Sequence, residues 1–213
     1  MRSVALAVCL CLCASALASP ATKPATTQAW RALFDGKTLN GWKVTDFPDS
    51  KAKPRVEEGK LILPKGTDMT GVTWTGGDLP TTNYEIELEA QRIDGDDFFC
   101  GLTFPMAKSH ASLILGGWGG GVCGISSLDG DDAARNETTT ARDFKKGEWY
   151  RVLLRITPNR IQAWLEKENL VDVDTTGRDV GVRMECEESR PLGVCTWRTT
   201  GAIRNMRLRR TAG

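Results

Sequence analysis

The sequence predicts an all-β protein, a sandwich or jelly roll of two antiparallel sheets. Apolar and polar residues alternate with period two in several separate runs, as half-buried strands require. Those runs are divided by turn-forming clusters such as "DGDD" and "TPNR", which mark strand ends. Helical signals are poor, because no window of about a dozen residues keeps an apolar stripe at i, i+3, i+4 and i+7. The best helical stretch, "DDAARNETTTARDF", holds little to bury. No repeat of blade length is present, which excludes a β-propeller.

Taken in order, residues 1–18 read as a signal peptide: Arg2 precedes the apolar run "VALAVCLCLCASALA", and Ala16-Leu17-Ala18 forms a small-x-small cleavage site. No lipoprotein anchor pattern accompanies it, so the expectation is a secreted or periplasmic protein with no membrane anchor. Residues 19–29, "SPATKPATTQA", have no periodic apolar pattern and read as a disordered linker. One β domain is expected over residues 30–213, since 213 residues at 40% hydrophobic and 26% charged allow a sizeable core.

Within that domain "LILP" (61–64) is a first short β-prone run. In "YEIELEAQRI" the residues Tyr84, Ile86, Leu88 and Ala90 face one way, and Glu85, Glu87, Glu89 and Gln91 the other. "FFCGLTF" (98–104), "SLILGG" (112–117) and "VCGISSL" (122–128) follow. "WYRVLLRIT" buries Tyr150, Val152, Leu154 and Ile156 against Arg151 and Arg155, and "RIQAWLEKE" buries Ile161, Ala163 and Leu165 against Gln162, Trp164 and Glu166. "PLGVCTW" (191–197) and "AIRNMRLRR" (202–210) complete the series.

Charge and cysteine content narrow the function classes. Without Arg2 the basic side chains equal the 27 acidic ones, and only one histidine, His110, is present. A balanced chain argues against a nucleic-acid or anionic-membrane surface. Three of the seven cysteines leave with the leader. The remaining four allow three disulfide connectivities; the favoured pairs are Cys186–Cys195, at the two ends of a loop, and by default Cys100–Cys123. Buried free thiols are the alternative. No C-x-x-C spacing points to structural zinc.

Three segments, "LFDGKTLNGWKV" (33–44), "GEWYRVLLRITPNRIQAWLE" (147–166) and "IRNMRLRR" (203–210), resemble the 3-keto-disaccharide hydrolase domain family. Its members open on "LFdGksLdGW", carry a central "GeWN" or "GeWY" strand, and close on "FRNIRIR". The resemblance runs from about Trp30 to Arg210 and implies a concanavalin A-like jelly roll with carbohydrate chemistry on its concave side. It also implies hydrolase or lyase action on 3-keto-glycosides, in which a ketone acidifies the neighbouring proton, a base removes it and an acid assists the leaving group. The enolate calls for a metal or other cation, so a divalent metal is the cofactor such chemistry suggests. The chain departs from the family where "N-S-G" is replaced by "F-C-G-L-T-F-P" (99–105), and where "TWRTTG" (196–201) stands in place of a histidine-bearing stretch.

The stretch "LILGGWGGGVCGISSLDGDD" (113–132) carries seven glycines. A phosphate cradle needs a helix after the glycines and a Lys-Ser/Thr; a strand follows here, so the segment reads as a crowded antiparallel hairpin. Trp118 at its centre suits stacking on a sugar ring, or else fills the core space that the glycines leave. The loop after it offers Asp129, Asp131, Asp132, Asn136 and Glu137, suited to sugar hydroxyls or to calcium, although the EF-hand spacing is absent. "NET" (136–138) is also a glycosylation sequon. The expected acid–base pair is Glu137 and Asp129. Expected substrate contacts are Trp118, Asn136, Asp132, Arg155, Trp164, Arg183 and Arg198, with Glu185 beside Arg183, while His110 reads as a loop histidine. The expected partner is a carbohydrate. The function class is an exported 3-keto-glycoside hydrolase or lyase, with a non-catalytic carbohydrate-binding or cell-envelope interaction domain as the alternative.

Overall fold

The computed structural model describes residues 27–48 and 51–212. The expected signal peptide, and the expected linker up to residue 26, lie outside the described residues. In chain order the strands are β1 (Arg31–Ala32), β2 (Trp42–Val44), β3 (Arg55–Glu57), β4 (Lys60–Leu63), β5 (Met69–Trp74), β6 (Tyr84–Asp94), β7 (Cys100–Met106) and β8 (Ser109–Gly117). They continue with β9 (Val122–Ser126), β10 (Thr140–Ala141), β11 (Trp149–Thr157), β12 (Arg160–Leu165), β13 (Glu168–Asp174), β14 (Gly193–Trp197) and β15 (Thr200–Arg210). A 3-10 helix, Met184–Ser189, precedes β14.

These strands form two antiparallel sheets stacked as a jelly roll. The first runs β13-β12-β11-β6-β15-β4-β3, with β1 added on β15, and the second runs β10-β9-β8-β7-β14-β5-β2. The expected alternation is observed: Tyr84, Ile86, Leu88 and Ala90 of β6 are buried, as are Val152, Leu154 and Ile156 of β11 and Ile161 and Ala163 of β12. They meet Leu102, Phe104, Leu113, Leu115 and Ile125 of the second sheet in one core. The Tyr84 hydroxyl donates to the Pro105 carbonyl at 2.5 Å and ties the two sheets together. β5 and β13, with the short β1, β2, β3 and β10, lie outside the runs that the sequence marks and complete the sheets. β5 is a fully buried strand and so lacks alternation.

The outward face of β6 is polar yet closed. Glu85 is 1% exposed, bridged by Arg155 at 2.7 Å and Arg209 at 2.6 Å. Glu87 is held by Arg151 and, at 2.5 Å, by Arg207, and Glu89 is held by Arg204. The guanidiniums lie on tryptophans: Arg155 is 5.1 Å from the centre of Trp164, Arg204 4.0 Å from Trp149, and Arg209 4.4 Å from Trp30. Burial pushes the Glu87 carboxyl up, but Arg151 and Arg207 outweigh it and hold it below its ordinary value. Its contribution to stability is therefore complete above the ordinary carboxylate pKa and is lost as pH falls through the lowered value. Glu87→Gln is expected to cost about 1–2 kcal/mol, because its two arginines retain solvent, and to lower Tm by roughly 3–8 °C. Thermal melts at pH 7 and pH 3 check this, with the difference between variant and parent shrinking at the lower pH.

The expected disulfides are absent; all four cysteines of the β domain are free and buried. Cys100 and Cys123 stand on opposite sides of Leu115, one on β7 and one on β9, with β8 between them. Two strand spacings make roughly 9.6 Å, beyond the reach of a disulfide. Burial pushes their thiols up to about 12 and about 11. Cys186 and Cys195 do meet, as buried thiols in one apolar cluster with Phe47 and Met69. That contact lowers Cys186, and together with burial it raises Cys195.

Candidate functional site

The outer face of the second sheet is built from small residues. Gly71 of β5, Cys195 of β14 and Gly101 of β7 stand side by side, so another chain segment can approach the sheet closely. The stretch holding the 3-10 helix does so: Thr73 donates its hydroxyl hydrogen to the Glu188 carbonyl at 2.8 Å. Phe47, Met69, Cys186 and Cys195 form a second apolar cluster beneath it, with Phe98 and Trp197 packed against them.

Where this covering segment ends, a pocket of about 250 Å³ opens. Met69, Phe98, Ile114, Trp118 and Trp197 make its apolar walls, and Asp97, Ser126, Arg183 and Glu185 its polar groups. Trp118 sits in the β8–β9 turn at φ 49° and is 44% exposed, a ring offered to solvent. Trp197 ends β14, 6.5 Å from Phe98 between ring centres. Asp97 accepts the Phe98 amide at 2.7 Å, and no lysine or arginine among the described residues pairs with its carboxylate. Arg183 joins Glu185 at 2.9 Å and Asp132 at 2.8 Å; the Arg183 hydrogen bond holds Glu185 below the usual carboxylate range. The Ser126 hydroxyl oxygen is buried and has no hydrogen-bond partner. A buried hydroxyl left unmatched at a pocket wall costs free energy that a ligand hydroxyl recovers.

The expected site residues are distributed unevenly. Trp118, Arg183 and Glu185 line the pocket, Asp132 braces Arg183 from behind, and Arg198 stacks 5.4 Å from the centre of Trp197 while paired to Asp68. Asp129 and Glu137 come together, but on the Arg178 guanidinium, which binds both, and neither lines the pocket. The Asp179 amide and Arg178 lower Asp129, and Arg178 lowers Glu137, so both are held ionised. Asn136 donates to the carbonyls of Ile125, Asp131 and Asp132 and accepts from Thr138; its amide is occupied with fastening the loop, sequon included. Arg155 and Trp164 lie on the outer face of the other sheet, with the whole core between them and the pocket. His110, half-buried and lowered by that burial, does not line the pocket.

Sequence reading passed over Asp97, Phe98, Ser126 and Trp197. A signal for Trp197 existed: Gly193, Cys195 and Trp197 share one strand face, and two small residues leading to a large one outline a hollow. Nothing local marked Asp97 among the neighbouring acids of "DGDD" (94–97).

The residues present do not fit a divalent metal. Among the described residues no three His, Cys, Asp or Glu side chains converge, and in the pocket Glu185 is already paired to Arg183. Among the described residues no helix is long and apolar enough to cross a membrane.

A jelly roll with a pocket of indoles and carboxylates defines the class, a carbohydrate-related domain. The chain belongs to the 3-keto-alpha-glucoside-1,2-lyase-like domain family, whose model matches residues 29–209. In fold it is similar to a putative glycosyl hydrolase from Parabacteroides distasonis (14% identity, 85% of this chain, 93% of that one, TM-score 0.53). It is also similar to the Crh5 transglycosylase (9%, 89% and 87%, 0.58) and to the Emp46p carbohydrate recognition domain (13%, 80% and 88%, 0.52). Among curated proteins none matches the sequence significantly.

Proposed function

We propose that the protein is an exported, carbohydrate-active domain that binds a 3-keto-glycoside in the Trp118–Trp197 pocket and cleaves it by elimination. The observation that carries this reading is one pocket holding two indoles, a carboxylate without a cation partner and a hydroxyl without any partner. Indole faces suit the C–H face of a sugar ring, and Ser126 suits one of its hydroxyls. The family contributes the reaction class, and the leader expected at residues 1–18 contributes the export.

In the proposed reaction the 3-ketone acidifies the C2 proton and the Asp97 carboxylate takes it. The C2–H electron pair becomes the C1=C2 bond, and the C1–O bond to the aglycone breaks. The departing oxygen takes a proton from water or from the protonated acid. Charge gathering on the ketone oxygen is met by Arg183, a fixed cation in the pocket. No step requires a metal.

A second reading, a non-catalytic carbohydrate-binding module, is favoured by Glu185 being tied to Arg183, which leaves Asp97 as the one unpaired carboxylate of the lining. Incubating the purified protein with 3-keto-trehalose and 3-keto-glucosides, with and without chelator, separates the two by released sugar. The expected result is release that Asp97→Asn lowers by about 100-fold or more, while Asp129→Asn with Glu137→Gln retains it. Release unaffected by Asp97→Asn moves the base elsewhere, and binding without release under any metal condition leaves the module reading.

A further inference from the structure

The core-facing alternation of β6 runs Tyr84, Ile86, Leu88, Ala90, and its next member is Arg92. A guanidinium therefore points between the sheets, 5% exposed, its carbon 5.0 Å from the centre of Phe99 and 5.7 Å from that of Phe144. No carboxylate forms an ion pair with it among the described residues, and its Nε has no partner. Burying an unpaired cation costs several kcal/mol relative to an apolar residue of the same length. Stability of the sandwich alone does not account for an arginine here.

Its acceptors do. Nη2 donates to the carbonyls of Asp97 at 3.2 Å, Gly116 at 3.0 Å and Gly120 at 2.7 Å. The first belongs to the residue that bears the pocket's unpaired carboxylate. The other two flank Trp118 on either side. The glycines of this hairpin answer to the same group: a methyl on Gly116 (φ 76°) would overlap Nη2, and one on Gly120 would stand 3.3 Å from Nη1. A charged residue at a core position, with no carboxylate paired to it, breaks a local rule and points to a constraint other than core stability.

We infer that Arg92 is the positioning residue of the pocket: one guanidinium sets its acidic wall, at Asp97, and its aromatic wall, at Trp118, relative to each other. The effect on sugar binding rests on the pocket reading above; the effect on the hairpin does not. Arg92→Lys keeps the charge but ends one bond short of Nη2 and lacks the planar guanidinium that lies against Phe99 and Phe144. Arg92→Gln removes the charge and serves as the second variant.

The test uses the protein labelled with 5-fluorotryptophan, the Trp118 resonance being assigned by its loss in Trp118→Phe. Amide exchange is read alongside, and affinity is read with a 3-keto-glucoside. In Arg92→Lys the Trp118 resonance moves or broadens, exchange of residues 116–121 speeds up about 10-fold or more, and β11 and β12 keep their protection. Affinity falls about 10-fold, since small displacements of pocket walls weaken binding steeply. Unchanged fluorine and exchange signals in a folded variant overturn the inference, as does a loss of protection spread evenly over both sheets. If the parent protein binds no sugar, the pocket reading fails while fluorine and exchange still decide on Arg92.

Discussion

Trp118→Ala is expected to weaken binding of a neutral 3-keto-glucoside by about 10–100-fold, equivalent to roughly 1.4–2.8 kcal/mol. The indole stands at the pocket wall with 44% of its surface open, and a sugar ring laid on it removes that apolar face from water. An exposed ring contributes little to folding, so Tm should move by no more than about 2 °C. Trp118→Phe keeps a smaller ring and is expected to recover part of the affinity. Titration calorimetry on both variants measures this; an affinity equal to the parent's in Trp118→Ala places the sugar elsewhere.

Phe99→Ala is expected to cost about 3–5 kcal/mol, or roughly 6–20 °C in Tm, the loss typical of a large side chain deleted from a core. Phe99 is fully buried. It meets Phe144 edge-to-face at 4.9 Å and lies 6.2 Å from Tyr150 between ring centres. It also supports the Arg92 guanidinium from one side, so its removal leaves a void and exposes a buried cation to rearrangement. Phe99→Leu, which fills most of the space, should lose less than half as much. Denaturant melts compare the two, and equal losses would mean that volume is not what this position supplies.

Strand content and orientation were legible because the pleat sets them locally. Alternate residues of β6, β11 and β12 point to opposite faces, and the apolar members are the buried ones. The same pattern misjudged the other face. Glu85 and Glu87, expected in water, are covered by arginines from β11 and β15, strands more than sixty residues away along the chain. The acids proposed from the loop after Trp118 failed to reach the pocket for a similar reason: Arg178, some forty to fifty residues on, takes both Asp129 and Glu137. Charge pairing of this kind has no local signature. Cys100 and Cys123 illustrate it in the sheet, since a third strand placed between them rules out the disulfide that the count of cysteines suggested.

By itself the sequence determined the two-layer β architecture, the inward set of each alternating strand, the glycine-rich hairpin that carries Trp118, and the family to which the chain belongs. These follow from the two-residue period of the strand and from motifs contiguous in the chain. Only the tertiary structure decided which side chains share a pocket. β14 inserts between β5 and β7, bringing Trp197 beside Phe98 and the stretch of Arg183 and Glu185 across from Trp118. Burial of the common core selects that pairing, and core burial is a sum over the whole chain that no short segment encodes.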